Sequence, residues 1–333
     1  MQVAIIGAGL AGLTAARQCQ AQGHHVTVYE KSRGVSGRMC TRQTEFGGFD
    51  FGAQYFTASS ERFKKEVNDW CKLEWVTAWD SELVTIAHGK VQESKEKGKA
   101  PQRFVPIPGM NALGKQLAHG LDVRLEQQVI GLSRHGEQWL LSVKSDEVPV
   151  PATAGPFDAV LVAIPAEQAA VLLKDNASFA QTVSKIHMQP CWALMLAFQN
   201  PLNLPYDGAW VEDSRLAWIA RDTSKPEHRA GERWVCHASA AWSTEHLEDE
   251  HERVKEKLVK AFHEATGSPV QAIHAEAHRW RFSLADQPLT QSHLWDAKEK
   301  IGVCGDWFSA GLEGAGRVEN AFLSGLALSK ELG

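Results

Sequence analysis

Tyrosine is scarce in this chain, with three among 333 residues. Disulfide spacing is missing as well. Cys19, Cys40, Cys71, Cys191, Cys236 and Cys304 are scattered with no CxxC pair, so free thiols and a reducing, cytoplasmic compartment are expected. The longest apolar stretch, residues 159–165, falls far short of the roughly 20 residues a membrane helix needs. Met1 leads straight into a strand, so no removable leader is expected. The 35 basic residues are dispersed against 40 acidic ones, for a net charge of −5. With no basic stripe, neither nucleic acid nor a membrane surface is an expected partner. No repeat of 20–50 residues is visible. His274 and His278 have the i,i+4 spacing of a metal pair, but the segment alternates like a strand and lacks a third ligand, so no metal is expected.

What the chain does have is an ordinary globular composition, 44% hydrophobic and 23% charged, and a length that suits two domains. Gln2-Val3-Ala4-Ile5-Ile6 is an apolar run of strand length, followed at once by Gly7-Ala8-Gly9-Leu10-Ala11-Gly12. Residues 13–22 are patterned as a helix, His25-Val26-Thr27-Val28-Tyr29 reads as a second strand, and Glu30 closes it. This is the order of a dinucleotide-binding βαβ unit. Gly7 makes the tight turn, Gly9 lets backbone N–H groups approach a pyrophosphate, and Gly12 allows close helix–strand packing. Leu10 and Ala11 complete the cradle, whose helix N-terminus favours negative charge. Glu30 stands where a carboxylate can accept both ribose hydroxyls.

Lys31-Ser32-Arg33-Gly34-Val35-Ser36-Gly37-Arg38 continues from Glu30 as a basic, glycine-rich loop, in which Arg38 can bond two phosphate oxygens at once. Gly47-Gly48-Phe49-Asp50-Phe51-Gly52-Ala53-Gln54-Tyr55-Phe56-Thr57 reads as a turn and a short aromatic strand, with Gly52 either at a hairpin bulge or where backbone approaches something flat. Residues 60–79 have helical spacing with Phe63, Val67, Trp70 and Cys71 on one face, and 93–99 form a charged tip. Arg103-Phe104-Val105-Pro106 is extended, and Gly109-Met110-Asn111 starts a helix through Ala118. Two strands flank His135-Gly136, and residues 157–165 form a buried strand. Ser243 or Thr244 caps a long helix with Leu247, Val254, Leu258 and Phe262 as its stripe and Gly267 at its end. Lys300-Ile301-Gly302-Val303-Cys304-Gly305-Asp306-Trp307 is a strand running into Gly-Asp, and Arg317-Val318-Glu319-Asn320 opens the last helix. Leu312-Glu313-Gly314-Ala315 imitates that opening a few residues early.

Together GAGLAG, YEKSRGVSGRM, FDFGAQYFTA, RFVPIPGMNAL, FDAVLVAIPA, AHRWRF and CGDWF with RVENAFLSG resemble the bacterial renalase group of the flavin amine-oxidase superfamily. The resemblance thins between residues 200 and 270. One glycine of that group's usual doublet is replaced in Val35-Ser36-Gly37, and Asp306 and Arg317 are separated by about five extra residues. It implies an α/β fold: a Rossmann-like FAD-binding domain of the glutathione-reductase and amine-oxidase type from 1–56, 106–165 and 297–333, with an α+β substrate domain from 57–105 and 166–296.

The implied cofactor is non-covalent FAD. The cradle residues Gly7, Gly9, Leu10, Ala11, Gly12, Glu30, Lys31, Arg33, Gly37 and Arg38 would hold it, with Ala53 and Gln54 at the ring, Val129 at the adenine, and Asp306 and Val318 at the ribityl and ring. Implied substrate contacts are Tyr55, Phe56, Thr57, Ala58, Arg103, Phe104, Val105, Cys191 and Arg317. The implied reaction is oxidation of misformed dihydronicotinamide dinucleotides, the 2- or 6-dihydro isomers of NAD(P), to NAD(P)+, with O2 reduced to hydrogen peroxide. Chemistry would belong to FAD N5, and no catalytic side chain is required. Two other readings stay open: an amine oxidase, although a pair of caging tyrosines is hard to find here, and a non-catalytic flavin- or NAD-sensing protein.

Overall fold

The structure is a computed structural model that describes residues 1–92, 101–145, 150–228, 231–312 and 317–333. The charged 93–99 segment lies outside the described residues, as does all of the 312–315 look-alike beyond Leu312.

A six-stranded sheet runs in the spatial order Leu294–Asp296, Ile301–Val303, Ala159–Val162, Gln2–Ile6, His25–Tyr29, Asp122–Arg124. Its neighbours are parallel except at the Leu294–Asp296 edge. Val3, Ala4, Ile5 and all of Ala159–Val162 are buried, which is why these strands read as continuous apolar runs. Ile6 pairs with Tyr29 on one side and Val162 on the other, so three strands end level. The glycine loop begins there, at the crevice outside the strands' carboxyl ends where such sheets bind ligands.

Two helices, Leu10–Ala21 and Val318–Ser329, cross on this sheet. A Cβ at Gly325 would stand 2.1 Å from the Ala11 carbonyl oxygen, so glycine is what lets the two backbones touch. The first and last helices of the chain are locked together by that contact. Helix Glu61–Lys72 joins them through Phe63 and Trp70, whose rings lie 5.3 and 5.8 Å from Phe322. Ser60 caps it by accepting from the Phe63 N–H at 3.3 Å. The helix stops at Lys72, short of the expected 79, because Val76–Ala78 leaves to pair with Phe104–Pro106.

The second sheet has seven strands, in the order His274–Ala285, Met188–Phe198, Glu232–Ala238, Leu216–Arg221, Gly208–Glu212, Leu83–Ala87, Lys90–Gln92. Met188–Phe198 buries both faces, as strand alternation requires. Trp192, Leu194 and Leu196 meet Val254, Leu258 and Phe262 of helix His251–Thr266, while Ala193, Met195 and Ala197 meet Phe49 and Phe51.

The long helix expected from Ser243 or Thr244 is two helices. Ser239 caps Ala240–Glu245 by accepting from the Trp242 N–H at 3.3 Å, and His251–Thr266 starts anew after Glu250. Leu247 lies between them. Ser243 is buried, its hydroxyl committed to the Trp192 N–H at 3.1 Å rather than to a cap. Gly267, with φ +66°, ends the second helix as expected.

Candidate functional site

A cleft of about 1040 Å³ opens over the carboxyl ends of the parallel strands, at the upper limit of the roughly 300–1,000 Å³ typical of ligand pockets. The three loop glycines divide its work. Gly7 takes φ +105° and a Cβ there would meet the Ala163 carbonyl oxygen at 2.5 Å; at Gly12 it would meet the Gly7 carbonyl oxygen at 2.0 Å. Gly9 differs. A Cβ on it would find no protein atom within 4 Å, so the space above it is open for a ligand. Leu10 and Ala11 flank that space in the first helical turn. Gly12 lies beneath it and does not line the cleft.

Glu30 is buried, with Oε2 accepting from the Ala8 N–H and Oε1 from the Ser32 N–H, both at 2.8 Å. One carboxylate thus spans the glycine loop and the basic loop. Each oxygen keeps a lone pair for a ribose hydroxyl. Lys31, Arg33, Gly37 and Val129 also line the cleft. Gly37 takes φ +55°, and a Cβ there would stand 3.3 Å from Gly9 Cα, so glycine keeps the basic loop close to the cradle.

The missing glycine of the basic loop has a structural answer. Ser36 itself adopts φ +91°, a backbone region that costs a residue with a Cβ of order 1–3 kcal/mol. Its hydroxyl donates to the Asn111 carbonyl at 3.0 Å, and Gly114 leaves the room, since a Cβ there would stand 2.0 Å from Ser36 Oγ.

Arg38 and Asp306, both expected against the cofactor, meet each other. Nη2 lies 2.6 Å from Oδ1 and Nη1 2.8 Å from Oδ2, and Nη1 also donates to the Ser283 carbonyl at 2.7 Å. Both side chains line the cleft, as do Ala53, Arg317 and Val318. Gln54 does not. It is buried beneath, donating to the carbonyls of Asp50 and Gly52. The close approach at Gly52 is to protein: a Cβ would meet the Arg38 carbonyl oxygen at 2.0 Å.

Most of the residues expected to touch substrate lie elsewhere. Phe56 and Val105 are core side chains, because residues 56 and 104 exchange two backbone hydrogen bonds at 3.0 and 2.8 Å and turn Phe56 onto Phe63 and Phe104. Ala58 packs against the same core. Tyr55 packs among Trp79 and Trp218 with the Arg103 guanidinium 5.5 Å over its ring. Thr57 accepts from Arg317 at 3.0 Å. The Cys191 thiol points at the Ala238 carbonyl, 3.7 Å away, and burial pushes its pKa up to about 12. Of this set only Arg317 lines the cleft.

The cleft wall facing the cradle comes from residues that sequence reasoning missed: Arg42, Phe51, His278 and Trp280, with Arg279 and Arg281 beside them. Phe51 and Trp280 stack at 5.1 Å, His278 sits edge-on to both, and the Arg42 guanidinium lies 4.8 Å above Phe51. Arg42 pairs with Glu276 and faces His278 Nδ1 at 3.3 Å. Burial, with help from Arg42 and then His251, pushes the His278 pKa down to about 4. The ring is therefore neutral near pH 7, accepting from Arg42 at Nδ1 and carrying its proton on Nε2. The available signal was the period-2 spacing of Glu276, His278 and Trp280 on one strand. The Phe51 carbonyl is held from behind by the His237 Nε2–H at 3.1 Å and the Trp280 Nε1–H at 3.2 Å.

Residues 5–71 match the NAD(P)-binding Rossmann-like domain family, and residues 77–332 match the family of flavin containing amine oxidoreductases. The chain is 46% identical to 4,4'-diapophytoene desaturase (4,4'-diaponeurosporene-forming) of Staphylococcus aureus over 52 residues. That match covers 16% of this chain and only 10% of the desaturase. Among solved structures, a putative protoporphyrinogen oxidase from Exiguobacterium superposes with TM-score 0.76 at 12% identity, over 99% of this chain and 98% of that one. A putrescine oxidase bound to putrescine gives 0.72 at 12% identity, over 100% and 99%. An oxidoreductase from Methanosarcina mazei gives 0.70 at 16% identity, over 99% and 100%. At these identities the likeness is one of fold. The open space above Gly9, the free lone pairs of Glu30 and the volume of the cleft all fit a dinucleotide. This chain belongs to the flavin-containing amine oxidoreductase family, and its cofactor is FAD.

Proposed function

We propose that this flavoprotein oxidises misformed dihydronicotinamide dinucleotides, the 2- or 6-dihydro isomers of NAD(P), with O2 as the final electron acceptor. The observation that carries the reading is the stretch of cleft lining where flat rings and guanidinium groups stand together. Phe51, His278 and Trp280 offer surfaces against which a planar ring stacks. Arg42, Arg279 and Arg281 bring guanidinium groups to the same wall for phosphate, each sharing its charge with a carboxylate, Arg42 with Glu276 and the other two with Glu248. The dihydropyridine gives up a hydride and becomes an aromatic pyridinium, so the driving force lies in the substrate. Non-covalently bound FAD would supply the hydride acceptor and the route by which two electrons and two protons reach O2 as hydrogen peroxide. The protein's task is to hold two rings in register. His278, neutral and with a proton on Nε2, serves as a hydrogen-bond donor and not as a base.

The wall offers a cationic amine no unshared carboxylate, since Glu276 is paired with Arg42 and Glu248 with Arg279 and Arg281. Nor do tyrosines cage it: Tyr206 is buried against Trp234 at 6.1 Å, and Tyr55 lies in its own tryptophan cluster. All six cysteines are free thiols, which suits the cytoplasm we propose. An oxygen electrode with peroxidase-coupled peroxide detection tests the reading. Equal amounts of O2 consumed and peroxide formed are expected with 6-dihydro-NAD or 2-dihydro-NAD and none with benzylamine. Turnover of benzylamine alone would make the protein an amine oxidase, and no turnover with either would make it a binding protein.

A further inference from the structure

Behind the Phe51–Ala53 edge of the cleft lies a closed group of charged side chains. Asp50, Asp222 and Lys225 are wholly buried and His228 is nearly so. Lys225 Nζ stands 2.8 Å from Asp222 Oδ1, 3.3 Å from Asp50 Oδ2 and 3.4 Å from Gln54 Oε1. His228 Nδ1 is 2.9 Å from Asp222 Oδ2, and its Nε2 is 3.3 Å from Asp50 Oδ2. Donor atoms of Asp50, Asp222 and His228 lie within 4.8 Å of one another, the spacing of a cation site, and the Lys225 ammonium stands among them. Burial pushes the Asp222 carboxyl upward, but Lys225 and His228 together outweigh it and hold the group well below the usual carboxylate range.

The contacts leaving this group converge on a few residues. Asp50 Oδ1 accepts from Thr41 Oγ1 at 2.6 Å and from the Met110 N–H at 3.0 Å, which ties down the start of helix Asn111–Ala118. Gln54, in contact with the ammonium, donates back to the Asp50 and Gly52 carbonyls. His237, which holds the Phe51 carbonyl, feels the Lys225 charge as well. Phe51 and Ala53 themselves line the cleft. The cation thus supports the backbone of 50–54 from beneath while never reaching the cleft.

We propose that Lys225 is a positioning residue, a built-in cation that neutralises Asp50 and Asp222 and through Asp50 and Gln54 sets the Phe51–Ala53 edge that receives FAD. The role is independent of which substrate is oxidised. A truncated side chain would leave two buried carboxylates short of a cation, and the stretch between them would move.

The test uses the FAD-loaded protein and reads the visible circular dichroism of the bound flavin, the FAD dissociation constant and the melting temperature. Lys225→Ala is expected to change the flavin dichroism and weaken FAD roughly ten- to a hundredfold, as displacement of a binding edge does. Added methylammonium should restore both, while tetramethylammonium, of equal charge but too large for the vacancy, should not. If Lys225→Ala does not fold, the double variant Lys225→Met with Asp222→Asn removes a charge of each sign and decides the matter. It should fold, with the same altered dichroism. Wild-type dichroism and FAD affinity within about twofold in either folded variant, whatever the melting temperature does, would overturn the proposal and leave the group purely structural. Altered flavin signals that methylammonium does not restore would also overturn it, since the ammonium itself would not be the cause.

Discussion

Arg38 and Asp306, 268 residues apart, grip each other through two parallel hydrogen bonds of 2.6 and 2.8 Å across the FAD cleft. The pair joins the loop after strand His25–Tyr29 to the turn after strand Ile301–Val303, so the two ends of the chain's cofactor site are braced by one guanidinium. Both side chains keep some exposure, Asp306 less than Arg38. Arg38→Ala should therefore purify largely colourless, because it removes a two-point partner and strands the Asp306 carboxylate beside the phosphates. The ratio of absorbance at the flavin band to that at the protein band checks it. Full FAD occupancy would contradict this role.

Gly9 and Gly12 should behave oppositely. Gly12→Ala drives a methyl to 2.0 Å from the Gly7 carbonyl oxygen, a backbone clash with no soft partner, so the melting temperature should fall steeply and FAD binding vanish. Gly9→Ala meets no protein atom within 4 Å, so the FAD-free protein should melt as wild type does while FAD affinity collapses. Calorimetry on FAD-free and FAD-loaded protein separates the two.

Ser36 and Gly114 should be coupled. Gly114→Ala alone places a Cβ 2.0 Å from Ser36 Oγ and should destabilise by roughly 1–3 kcal/mol. In a Ser36→Gly background the hydroxyl and Cβ are gone and only the backbone Cα of residue 36 remains, 3.0 Å from the new methyl, so the same change should cost clearly less than it does alone. Urea denaturation of the four proteins gives the coupling energy directly.

Two partly buried histidines set an acid limit. Burial lowers the pKa of both from the ordinary 6.5 to about 4, reinforced at His278 by Arg42 and His251; at His237 the Phe51 hydrogen bond opposes it and Lys225 adds to it. The unfolded chain binds these protons first as pH falls. Stability should be full above 6.5, drop through 6.5 to 4, and lose this slope below 4. Urea midpoints measured across that window should show the fall, and His237→Gln should remove part of it.

Arg42→Met should raise the KM for the dinucleotide roughly tenfold, the equivalent of about 1.4 kcal/mol, and leave the flavin absorbance in place. Without its guanidinium the His278 pKa should rise, and NMR titration of that ring would show it.

The cofactor half of the site was readable in the sequence because its information is local. A buried parallel strand, three glycines and an acid at fixed spacing follow one another within residues 2–30, and each has a steric reason that contacts farther along the chain do not alter. The wall proposed to receive substrate was not readable. Arg42, Phe51 and His278 come from three separated segments, and the wall exists only because the His274–Ala285 strand pairs with Met188–Phe198 and so carries His278 and Trp280 over Phe51. Phe56 and Val105 misled for a related reason: aromatic and β-branched residues beside a cofactor loop read equally well as pocket or core, and the 56–104 pairing turned them inward. The helix break at residues 246–250 was hidden because Leu247 keeps the heptad-like stripe while Ser239 takes the cap. Lys225 gave no signal, since Thr223-Ser224-Lys225-Pro226 reads as a surface turn.

The most direct measurement is anaerobic mixing of the FAD-loaded protein with dihydronicotinamides in a stopped-flow spectrophotometer. Prompt bleaching of the flavin band by 6-dihydro-NAD or 2-dihydro-NAD, with NAD+ as product and no response to benzylamine, is the expected result. A flavin that stays oxidised with every dihydronicotinamide isomer would contradict the proposed oxidase.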